Sequence, residues 1–191
     1  MTAASHRLVL KDHTGVMDVQ RAAVELGWDS LGLLDRDPAR RVYTELAWEA
    51  ENGVTVHYVE DESVDERYVT TAGGTAASRA GVLARIAGSV DVWSLDDLMF
   101  EVSAARYASG RARAVMRLGV ASPLTAVEGV VVRITRATTD PDPRVRRAAV
   151  WAMACTDWPE YSDVLAFAAA DRDPDIARAA AAVHGRLGEA A

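Results

Sequence analysis

The feature that most constrains this chain is an internal repeat in its second half. The run Asp142-Pro143-Arg144-Val145-Arg146-Arg147-Ala148-Ala149 returns 31 residues later as Asp173-Pro174-Asp175-Ile176-Ala177-Arg178-Ala179-Ala180. Asp, Pro, a β-branched residue, Arg and an Ala-Ala pair recur. Each part has a physical reason. Aspartate caps a helix by accepting hydrogen bonds from its unpaired N–H groups. Proline in the first turn forfeits only an N–H that has no helical partner there. Paired alanines let a neighbouring helix approach closely. A weaker copy sits 34 residues upstream, where Arg113-Ala114-Val115 matches Arg147-Ala148-Ala149 without an Asp-Pro start. Between the copies the spacing predicts second helices over Pro123–Thr138 and Pro159–Ala170. Such a hairpin cannot bury its apolar stripe alone, so neighbouring hairpins must stack.

On these residues the C-terminal part of the chain resembles the HEAT-repeat family, in particular short, alanine-rich bacterial members. The resemblance implies an α-solenoid of two to three hairpins and a protein-binding surface, but no chemistry. It also implies a structural role for Asp142, Pro143, Arg147, Asp173, Pro174 and Arg178, with Asp and Arg of successive repeats pairing into a ladder.

The first half reads differently. A strand is expected at Arg7–Leu10, then a helix with Val19, Ala22, Ala23 and Leu26 on one face, ended by Gly27. Asp29–Asp37 reads as a loop. Residues 42–50 alternate as a strand, Asn52-Gly53 signals a two-residue hairpin turn, and Val54–Val59 returns. Arg67–Thr71 makes a further strand after the acidic loop Asp61–Asp65. Thr75 caps a helix to Ala87, and Ser94 caps another from Leu95. The expected fold class is therefore α+β: a small β-α-β-β-β-α domain with a mainly antiparallel sheet over 1–92, then the helical repeats over 93–191.

Charge separates the halves. Residues 1–106 carry 18 acidic and 10 basic side chains, and residues 107–191 carry 10 and 11. An acidic surface is repelled by phosphate backbones and anionic lipids, which weighs against nucleic acid or membrane as partner. No apolar run is long enough for a membrane span, and the first residues lack the apolar core of a secretory signal. The lone Cys155 allows no internal disulfide and fits a cytoplasmic, reducing compartment. Twenty arginines against one lysine suggest a bacterial origin.

No complete catalytic set appears, and neither a metal site nor a cofactor is expected. The candidate binding residues are Trp48, His57 and Tyr68 in the first half, and Arg133, Arg136, Trp158 and Tyr161 in the repeats. A two-residue turn at Asn52-Gly53 would set His57 opposite Trp48 in an apolar sheet face. A slip of one residue would move it to the other face. Aromatics beside arginines are the usual anchors of interfaces. The expected function is that of a binding, adaptor or regulatory protein with a protein partner. A small-molecule enzyme with a pocket where the two parts meet is the alternative, and a HEAT-like DNA-binding or repair protein is third.

Overall fold

The computed structural model describes residues 6–35 and 43–189. The chain divides between Trp93 and Ser94 into two compact units. Among the described residues, no helix is long and apolar enough to cross a membrane.

The first unit contains β1 (Arg7–Val9), α1 (Val16–Glu25), β2 (Asp29–Leu34), β3 (Thr44–Glu49), β4 (Val54–Asp61), β5 (Glu66–Gly73) and α2 (Ala76–Ala87). The strands form one antiparallel sheet in the order β1-β5-β4-β3-β2. Alternation places Trp48, Val54, Val56, Tyr58 and Val69 on one face, where they share a core with Val19, Ala22 and Ala23 of α1 and Val82, Leu83 and Ile86 of α2. Each buried valine, leucine or isoleucine among them contributes about 1.5–3 kcal/mol by leaving water. Helix α2 begins where Thr75 predicts: its hydroxyl accepts the Ser78 N–H, and the Ser78 hydroxyl accepts the Thr75 N–H.

Two expectations need correction. The segment read as a loop from Asp29 contains β2, so the order is β-α-β-β-β-β-α. Every residue of β2 is exposed. It is an edge strand held by its backbone pairing to β3, with a bulge between Ser30 and Gly32, and so it carries no burial pattern to read. Asp37, the end of that loop reading, and Val42, the start of the strand read over 42–50, lie outside the described residues.

The second correction concerns register. Asn52 and Gly53 do take positive φ, 59° and 67°, but the hairpin loop also includes Glu51, and Ala50 N–H closes it on the Val54 carbonyl. Three loop residues in place of two shift every pairing by one. Trp48 therefore faces Val56, and His57 faces Ala47. Gly73 supports this turn: at φ 70°, a Cβ there would stand 2.3 Å from the Gly53 carbonyl oxygen.

The second unit contains α3 (Leu95–Ala104), α4 (Ala108–Val120), α5 (Glu128–Ala137), α6 (Pro143–Ala154), α7 (Ser162–Ala168) and α8 (Pro174–Glu189). Helices α4, α6 and α8 pack successively as one layer, and α3 lies beside α5 in the other. Asp142 and Asp173 cap α6 and α8, accepting the N–H groups of Arg144 and Asp175. Helix α4 starts at Ala108 with Tyr107 at its cap and no side-chain cap bond, in line with a first repeat that lacks Asp-Pro. Helix α5 begins at Glu128, later than Pro123, whose carbonyl receives the Trp158 indole N–H at 3.2 Å. Pro159 opens a single 3-10 turn, Pro159–Tyr161, before α7.

Helices α4 and α6 cross closely at Gly119. A Cβ on Gly119 would lie 2.5 Å from both Cα and Cβ of Ala152. Ala149, Ala152 and Ala180 are fully buried, as small residues at a tight crossing must be.

Candidate functional site

The structure separates the aromatic and ionisable residues of the first unit. Trp48 is core, on the helix-covered face. His57 lies on the opposite face, with Glu45 and Thr55. Its Nδ1 meets Glu45 Oε1, and its Nε2 is 2.7 Å from Thr55 Oγ1. A carboxylate only accepts, so Nδ1 carries the proton, and in the neutral ring Nε2 accepts from the Thr55 hydroxyl. The line Thr55–His57–Glu45 has the chemical order of a hydroxyl, a base and an orienting acid. It bridges neighbouring positions on β3 and β4, where it fixes the ring and satisfies three half-buried polar groups. Tyr68 is also on this face and is buried. Its hydroxyl pKa is raised to about 12, first by burial and then by Asp61. Among the described residues there is no group of His, Cys, Asp or Glu that could hold a metal ion.

In the repeats, Trp158 and Tyr161 stack with ring centroids 5.7 Å apart. Both are buried. They fill the space between the loop after α4 and the start of α7 and present no docking surface in the folded unit. Among the described residues the Tyr161 hydroxyl has no hydrogen-bond partner, and burial raises its pKa.

The two arginines lie elsewhere. Arg133 is half-buried and donates from Nε to the Met99 carbonyl at 3.0 Å and from Nη1 to the Gly129 carbonyl at 2.8 Å. It ties α3 to α5. Arg136, one turn on, is exposed. Both line a groove of about 460 Å³ that also takes in Val102, Arg111, Val115, Asp140 and Val145. Val115 and Val145 give it an apolar floor. Arg111 is bound twice to Asp140, at 3.0 and 3.2 Å.

That pair belongs to a structural ladder one step away from the one expected. Arg146 binds Asp171 through Nε at 2.7 Å and Nη2 at 3.0 Å, and donates from Nη1 to the Asp140 and Pro141 carbonyls. The acids of this ladder are thus Asp140 and Asp171, each two residues before a capping Asp and accepting that residue's N–H. Of the expected pairs, Arg147–Asp173 forms at 3.4 Å between repeats, while Asp142 pairs with Arg144 and Arg178 with Asp175 within their own helix starts. Arg146 holds the Asp171 carboxyl below its ordinary range, with Asp173 N–H adding to the effect.

Sequence reading missed the exposed apolar residues. Phe100 of α3, Val132 of α5 and Phe167 of α7 are 71%, 56% and 72% exposed. Each stands four residues after an exposed acid, Asp96, Glu128 or Asp163 respectively. Four residues place side chains on one helix face, so every second helix presents the same acid-then-apolar stripe outward. The signal was available in the repeat spacing, but the Asp-Pro motif lies on the other helices and drew the alignment there.

Comparisons with curated proteins and with solved structures give no match. Residues 98–184 match a family model described as HEAT repeats, and the C-terminal part of this chain is a HEAT-repeat segment.

Proposed function

We propose that this protein is a binding module whose HEAT repeats dock a protein partner on the outward face of α3, α5 and α7. HEAT repeats are generally protein-interaction scaffolds. The observation that carries the reading is one large exposed apolar side chain on each of α3, α5 and α7, at Phe100, Val132 and Phe167. Scattered apolar exposure is ordinary on a protein surface. The same position on three alternate helices is not scatter, because each helix could have placed a polar residue there without loss of core packing. Protein is favoured over nucleic acid because this face also carries Asp96, Glu128 and Asp163, which repel phosphate.

The test is selection of peptides from a random displayed library on the full chain. Enriched peptides should lose binding to Phe100→Asp and Val132→Asp, both of which leave the core intact. Enrichment that these variants leave unchanged contradicts the reading.

A further inference from the structure

The groove beside this face has a charge character of its own. Arg111, Arg133 and Arg136 line it against a single carboxylate, Asp140, in a chain whose formal charge is −7. Asp140 is already bound twice by Arg111, and the Asp140 carboxyl stays ionised because the Arg111 hydrogen bonds and the Asp142 N–H outweigh its burial. Arg133 spends Nε and Nη1 on backbone carbonyls, which leaves its Nη2 amino group for a ligand. Arg136 is exposed at the rim, one turn on from Val132 along α5. The floor between them is apolar.

We propose that this groove receives an acidic segment of the protein partner. An aspartate or glutamate carboxylate would accept from Arg136 and from Arg133 Nη2, while an adjacent apolar side chain rests on Val115 and Val145. The occupant follows from complementarity: planar guanidinium groups suit a carboxylate, and a half-enclosed site strengthens the pairing relative to open water. A nucleic-acid strand fits less well, since a phosphate backbone calls for a track of cations, and the groove offers Arg133 and Arg136 beside an Arg111 that is already paired with Asp140. This inference rests on the docking reading above and specifies the chemistry of the partner.

Two displayed libraries separate the two claims, one with glutamate fixed at alternate positions and one with lysine. A labelled 20-nucleotide single strand serves as a third probe. The full chain is expected to enrich the glutamate library. Arg136→Glu should weaken the selected peptides about ten-fold or more and shift enrichment toward the lysine library, with only a small drop in melting temperature, because Arg136 is an exposed residue in the last turn of α5. A ten-fold change corresponds to about 1.4 kcal/mol, within what a charge-assisted hydrogen bond supplies. Peptides lost in Val132→Asp but neutral or basic, and indifferent to Arg136→Glu, would overturn the acidic occupant and leave the docking face standing. Enrichment from neither library would sink both ideas. Binding of the oligonucleotide in place of acidic peptides would also overturn the proposal.

Discussion

At the scale of single residues, Arg146 is the most consequential side chain in the repeats. Its side chain and that of Asp171 are 7% and 9% exposed, and four hydrogen bonds from its guanidinium serve a carboxylate and two carbonyls. Removing one partner of such a pair strands the other charge away from water. Arg146→Ala is therefore expected to cost about 3–5 kcal/mol in urea denaturation. Arg147→Ala, which breaks the half-exposed Arg147–Asp173 pair, should cost under about 1 kcal/mol. Equal effects of the two variants would show that the ladder is not where the stability lies. The sequence led to Arg147 because it matches Arg178 at the repeat spacing. Arg146 aligns with Ala177, and only the fold reveals that Arg146 reaches forward to the next repeat's loop. His57 teaches the same lesson. Its chemistry was legible from sequence, but its face depended on whether the loop held two residues or three.

At the scale of elements, what could be read was what burial or capping writes into the chain. Helix α2 starts at its Thr75 cap, α6 and α8 at Asp142 and Asp173, and α1 buries the expected Val19, Ala22 and Ala23. Strand β2 was illegible because an edge strand with no buried side chain leaves no periodic trace. Its counterpart β1 is a protected edge: Trp93 N–H donates to the Val9 carbonyl, and Leu10 bridges to Val92. The α4–α6 crossing was foreseen only in kind, through the alanines, while Gly119 is the residue that sets it. Gly119→Ala forces a methyl into the Ala152 backbone. Helix propensity alone would make this change stabilising by up to about 1 kcal/mol. Steric overpacking should reverse the sign and destabilise by about 1–3 kcal/mol. Thermal denaturation decides it, and a raised melting temperature would refute the tight crossing.

At the scale of the molecule, the two units rest on different supports. The first relies on the apolar contact of α1 and α2 with one sheet face. The second adds carboxylates fixed at each repeat junction. Asp140, Asp142 and Asp171 all have depressed pKa values in the folded chain, through hydrogen bonds from Arg111, Arg144 and Arg146 respectively and from backbone N–H groups. A depressed folded pKa gives stability that is complete above the unfolded value of about 3.9 and is lost as pH falls through the folded one. The urea midpoint of the repeat unit should therefore fall steeply below about pH 4. A midpoint indifferent to acid would argue against ionised junctions.

The central claim is that binding occurs on the second-helix layer. Hydrogen–deuterium exchange of the full chain, with and without a peptide selected as above, reads this directly. Added protection is expected at residues 95–104 and 128–137, the α3 and α5 segments that carry Phe100, Val132 and Arg136. Protection confined to α4, α6 and α8 would place the partner on the opposite layer and contradict the claim.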